Sequence, residues 1–171
     1  MTMKQPLRIA FGLMAGLMLA GQAAAPSGIR TEAPEPWTPQ GDLHFLALQY
    51  GETGWFADSG SVSRDGDAAE ARVLVVESEM RRIFEGRIRH SWHVVSVDCG
   101  TREWVTTAQD AYGPDGAWLA GYTVPVSSPR APAVDHEQRM IAYLCEGERP
   151  ADFRAEPTTA AAIASVLEAV R

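Results

Sequence analysis

The chain has 171 residues, with 15 basic against 22 acidic side chains, a formal charge of −7 and two cysteines. So acidic a chain is a poor partner for nucleic acid or anionic lipid, which select basic surfaces. It contains no Cys-x-x-Cys-His sequence for attaching haem.

Residues 1–25 read as a secretory signal. Lys4 and Arg8 supply the positive start, Ile9 to Ala20 an apolar run, and Gly21 to Ala25 small residues for cleavage. The run is shorter than the roughly 20 residues of a membrane span. Pro26 disfavours a cut directly after Ala25, so cleavage is expected after Ala23 or Ala24, and no cysteine stands there to carry a lipid. Of the 15 basic residues, removing Lys4 and Arg8 leaves 13, all arginine, against 22 acidic, a charge of −9. The remaining chain has the size of one domain. In an exported protein, Cys99 and Cys145 are expected to form one disulfide.

Residues 26–41 are rich in Pro, Glu and Thr and read as a linker or extended lead-in, with Trp37 as the first core anchor. Leu43 to Tyr50 predicts a strand, Gly51 to Gly54 a turn, and Trp55 to Ala57 a second strand, interrupted at Asp58 to Gly60 and resumed at Ser61 to Ser63. Arg64 to Asp67 carries an Asp-Gly tight turn. Arg72 to Glu77 is a β-branched third strand. Met80 to His90 is open between strand, loop and a short helical turn.

Ser91 to Tyr112 is the hairpin around which the remainder is expected to pack. Trp92, Val94 and Ser96 alternate with His93, Val95, Val97 and Cys99, a period of two. Cys99 to Arg102 turns the chain, and Glu103 to Thr107 resumes it. Gly113 to Gly116 leads into a strand over Ala117 to Val124, and Pro125 to Pro132 reads as a loop. Helical spacing appears only late. A helix over Asp135 to Leu144, capped by Asp135, turns Met140, Ile141 and Leu144 inward. A second, from Pro157 to Arg171 with Thr158 as cap, buries Ala162, Ile163, Val166, Leu167 and Val170. Strands first and helices last predict an α+β domain over 42–171: an antiparallel sheet of about five or six strands with C-terminal helical elements packed on it, one helix to one face.

No catalytic motif stands out. Gly-x-Ser-x-Gly, Ser-x-x-Lys and the phosphate-binding glycine loop are absent, and no spacing selects an acid and base pair. His90 and His93, three apart in a strand, face opposite sides, so no metal is assigned. Neither a catalytic residue nor a cofactor is expected. A small periplasmic enzyme stays as an alternative, since triads assemble from distant residues. Arg81, Arg82, Arg87 and Arg89 form the basic cluster of the exported chain. They are read as a docking patch for an anionic partner, set against an ordinary solvated face balanced by Glu77, Glu79 and Glu85.

Trp37, Trp55-Phe-Ala-Asp58 with Ser61 and Arg64-Asp-Gly66, Ser96-Val-Asp-Cys99, Tyr112, Gly121 and Tyr143-Leu-Cys145 follow one another in this order. From about Trp37 to Cys145 the chain thereby resembles the surface-adhesin protein E-like domains of Gram-negative bacteria. The resemblance implies an antiparallel sheet, a helical element tied to it by a disulfide, and life outside the cytoplasm. In the namesake it also implies binding to host matrix and serum proteins. The namesake is a lipoprotein, whereas this signal lacks a lipobox cysteine. Trp37, Asp58, Ser61, Tyr112 and Gly121 match the family pattern and are given structural roles, Asp58 as turn chemistry. The expectation is an exported, periplasmic or secreted, non-catalytic envelope protein that binds a protein partner. A surface adhesin is the alternative, and a homodimer is left open.

Overall fold

In the computed structural model, residues 28–50, 52–83, 86–123 and 129–171 are described, with the backbone alone for 81–83. The expected signal at 1–25 lies outside these residues, as do Gly51, Glu85 and the start of the Pro125 to Pro132 loop.

Period-two alternation of β-branched and aromatic residues builds an antiparallel sheet whose centre, from β5 to β8, is a meander of strands paired with their chain neighbours. The strands are β1 (Gly28–Arg30), β2 (Leu43–Gln49), β3 (Thr53–Asp58), β4 (Ser63–Asp65), β5 (Ala68–Ile83), β6 (Gly86–Asp98), β7 (Glu103–Tyr112), β8 (Trp118–Thr123) and β9 (Ala155–Glu156). The helices are α1 (Asp135–Glu146) and α2 (Thr159–Ala169). One antiparallel sheet runs β1-β8-β7-β6-β5-β3-β2-β9, with β4 on β5 beyond the end of β3.

The nine strands among the described residues exceed the expected five or six. The additions come from places without a strand signature: the lead-in supplies β1, which pairs with β8, and the two-residue β9 pairs with β2. Residues 31–41 are no free linker either, since Trp37 packs against the core. Met80 to His90, open in the sequence, is strand up to Ile83 and again from Gly86, and these stretches extend the pairing of β5 with β6. The expected tight turn is the β4–β5 connection, where Gly66 takes φ +59°, a conformation suited to glycine.

The sheet buries both faces. Ala69, Ala71, Val73 and Val75 of β5 meet Val95, Val97 and the α1 residues Met140, Ile141 and Leu144. Leu74 and Val76 point the other way, towards Phe45, Phe56, Trp92 and the α2 residues Ala162 and Val166. The two helices therefore cover opposite faces, where the sequence predicts helix on one. A run such as Val73-Leu74-Val75-Val76, apolar at every position, is what a doubly covered strand requires.

Each helix end has a partner. Thr158 caps α2 by accepting from the Ala161 N–H at 3.1 Å. At α1 the expected cap moves. Asp135 is the first helical residue, and Glu137 reaches back instead, accepting from the Ala133 N–H at 2.7 Å. Gly147, at φ +73°, closes α1 by donating its N–H to the Tyr143 carbonyl, and Arg64 donates to the last-turn carbonyls of Tyr143 and Leu144. Of the residues expected inward on α2, Ala162 and Val166 are fully buried, Ile163 and Leu167 half-buried, and Val170 is 41% exposed because it lies past the last turn.

Candidate functional site

The face covered by α2 is not covered throughout. The helix packs on β2, β3 and β5, and over β6, β7 and β8 the lead-in takes its place. Between lead-in and sheet lies a cavity of about 100 Å³ walled by Trp37, Arg72, Trp92, Asp110 and Tyr112. Trp37 and Trp92 meet edge to face at 6.4 Å between ring centres. The Arg72 guanidinium lies over the Trp37 ring, 3.7 Å from its centre.

Asp110 and Tyr112 reach this face through a bulge. In β6–β7 pairing, Val94 opposes Ala108 and Val95 opposes Thr106, so Thr107 is extra. Before it, Trp104 belongs to the α1-side core; after it, Asp110 and Tyr112 stand opposite Trp92 and His90 on the α2 side. Buried Asp110 accepts from both Arg30 (3.0 and 3.2 Å) and the Trp118 indole (3.3 Å), so its charge is met. A Cβ on Gly121 would stand 2.4 Å from Asp110 Oδ1, which explains a glycine there. The Tyr112 ring stacks on His90 at 5.0 Å, nearly parallel. Burial, then the Asp110 charge, raises the Tyr112 hydroxyl above the ordinary phenol range, so it stays protonated.

Trp37 and Tyr112 line this cavity, and Asp58, Ser61 and Gly121 hold residues that do. Asp58 is fully buried and accepts from the Trp37 indole (3.1 Å) and from the N–H groups of Gln40 (2.9 Å), Gly41 (3.0 Å) and Gly60 (3.1 Å). It folds the lead-in onto the sheet, a wider role than local turn chemistry. Ser61 accepts from the Arg72 N–H at 2.8 Å and so fixes the backbone beneath the guanidinium. Trp37 and Tyr112 are walls, and Gly121 makes room for Asp110. Arg72, Asp110 and Arg30 carry no sequence motif; only the ladder register brings them together.

The four arginines sit on a second feature. The last β3 partner of β5 is at Glu77, and the last β7 partner of β6 is at His90. Beyond these, Arg81 opposes Ile88 and Arg82 opposes Arg87 in a two-stranded ribbon that has no further strand beside it among the described residues. Arg87 is exposed. Arg89 instead holds the backbone. Its guanidinium donates to the carbonyls of Glu77 (2.8 Å) and Ser78 (2.9 Å), where four residues of β5 bulge against it. It thereby braces the ribbon's frame.

The histidines are dispersed as their strand positions require. His90 faces the α2 side. His93 faces the α1 side, where Ser91 Oγ lies 2.8 Å from its Nε2 and Trp55 lies between it and His136. His44 Nδ1 is 2.7 Å from the Tyr143 hydroxyl. Among the described residues no group of three His, Cys, Asp or Glu side chains could hold a metal. Glu137, though buried, is held below the usual carboxylate range by the Ala133 N–H and by Arg130 at 2.5 Å, which outweigh its desolvation.

Cys99 and Cys145 are bonded, with Cα atoms 5.5 Å apart. The bond ties the end of β6 to the last turn of α1, beside an exposed ion pair between Arg102 and Glu146. No helix among the described residues is long and apolar enough to cross a membrane. Comparisons with protein-family models, curated proteins and solved structures return no match.

Proposed function

We propose that the chain is an exported envelope protein of the protein E-like kind, non-catalytic, whose sheet domain binds an anionic protein partner through the β5–β6 ribbon. The observation that carries this reading is the ribbon itself. Among the described residues no strand pairs with either of its outer edges, and Arg82 stands directly opposite Arg87 in the register. Like charges facing across a ladder destabilise it, so their pairing here is best accounted for by a partner's carboxylates. Open edges also accept an added strand. The disulfide supports an oxidising compartment.

Three measurements test the reading. N-terminal sequencing of the product released by osmotic shock should begin between Ala24 and Pro26; recovery of intact Met1 in the membrane fraction overturns export. A photo-crosslinker at position 87 should trap one protein in the cell envelope. The adduct should disappear at high salt and when Arg81 and Arg82 are both changed to Ser. An adduct indifferent to salt and to those changes overturns the ribbon as the docking site. Protease removal of the domain from intact cells would move the assignment to a surface adhesin.

A further inference from the structure

We propose that the cavity between the lead-in and the sheet is a binding site for a small carboxylate group, with the Arg72 guanidinium as its counter-ion. This does not depend on the partner reading.

The charges around the cavity leave one cation over. Arg30 is committed to Asp110 through two hydrogen bonds, and the Trp118 indole adds a third to the same carboxylate. Arg72 has a different environment. Its backbone N–H is bonded to Ser61, and its guanidinium lies on Trp37, but the guanidinium makes no hydrogen bond or ion pair with any described residue. Glu35, the remaining acid of the lining, is exposed. A half-buried guanidinium held over an indole is pre-organised, and its N–H groups are left to donate elsewhere. Those groups match a planar carboxylate in two parallel hydrogen bonds.

The other walls suit the same group. The Tyr112 hydroxyl, kept protonated, donates where an anion would sit, and no described residue accepts from it. His90 behind it is neutral, its pKa lowered to about 4 by burial and by Arg89, and adds no charge. Trp92 and Val94 offer apolar surface to one or two carbons. At about 100 Å³ the cavity admits a carboxylate with a short stem and excludes larger acids. A free short-chain acid and the C-terminal end of a peptide present this chemistry equally.

The test follows indole N–H signals of the ¹⁵N-labelled chain by NMR at fixed ionic strength. Acetate should shift the Trp37, Trp92 and Trp118 signals saturably, and acetamide should not. Arg72→Gln should weaken acetate binding at least tenfold, Tyr112→Phe several-fold, and Ala108→Leu, which fills the cavity from β7, should abolish it. Comparing a short peptide with its C-terminal amide distinguishes the sources. Tighter binding of the free-acid peptide than of acetate assigns the site to chain ends; the reverse assigns it to free acids. Absence of saturation with either carboxylate, or undiminished binding by folded Arg72→Gln, overturns the site. Should Arg72→Gln not fold, Tyr112→Phe and Ala108→Leu decide in the same way.

Discussion

Val166 occupies the space that a side chain on Gly54 would need: a Cβ built on Gly54 lies 2.3 Å from Val166 Cγ2. This contact sets how closely α2 sits on β3. Gly54→Ala should destabilise by about 1–3 kcal/mol through overpacking. Val166→Ala, at a fully buried position, should cost about 1.5–3 kcal/mol. Together they should cost less than their sum, since losing Cγ2 makes room for the new methyl. Urea unfolding of the three variants measures the coupling, and strict additivity would contradict the contact.

The disulfide encloses a sequence separation of 46 residues. Loop-closure entropy puts its contribution at about 4 kcal/mol as a ceiling, a large share of the roughly 5–15 kcal/mol that holds a domain. Replacing both cysteines by serine should lower the unfolding free energy by about 2–4 kcal/mol. Two titratable thiols in the unreduced, denatured chain would refute the bond.

Asp58→Ala should be among the most damaging single changes. It strips four donors, the Trp37 indole and three backbone N–H groups, of their buried acceptor. Each unsatisfied buried donor costs about 1–3 kcal/mol, and rewetting of the lead-in recovers part of it. A net loss above about 3 kcal/mol is expected by chemical denaturation. A loss below about 1 kcal/mol would show that the lead-in holds without it.

The strand alternation of β6, the cysteine pair, the Thr158 cap and the inward Met140, Ile141 and Leu144 were all legible, because each is a local rule acting on local residues. The cavity was not. Its Asp110 and Tyr112 reach the right face only because Thr107 is inserted in the ladder, and a bulge of one ordinary residue leaves no mark on composition. Gly28–Arg30 is too short to show a period, so β1 was hidden as well. One signal of the second covered face does stand in the sequence: the unbroken apolar run from Val73 to Val76.

His90 predicts a pH dependence. Burial, then Arg89, lowers its folded pKa to about 4 from an ordinary 6.5, and its Nδ1 has no buried partner. The unfolded chain therefore takes up the proton first. The stability linked to neutral His90 is complete above pH 6.5 and is lost as pH falls from there towards 4. By linkage the loss between pH 7 and pH 5 is on the order of 2 kcal/mol. His90→Phe, which can keep the stack on Tyr112, should flatten this part of the profile by a similar amount. Parallel profiles for the two proteins would assign the acid sensitivity elsewhere.

The ribbon and the disulfide lie at opposite ends of β6, with Gly86 at one and Cys99 just past the other. A pull delivered by a partner at the ribbon therefore runs lengthwise along one strand towards a covalent anchor on α1. From His90 to Asp98 that strand is bonded on one side to β7 and on the other to β5. Because antiparallel hydrogen bonds lie across the strand, such a load shears many of them at once instead of peeling them apart in turn. The hairpin therefore resists a lengthwise load better than a sideways one, whatever applies it.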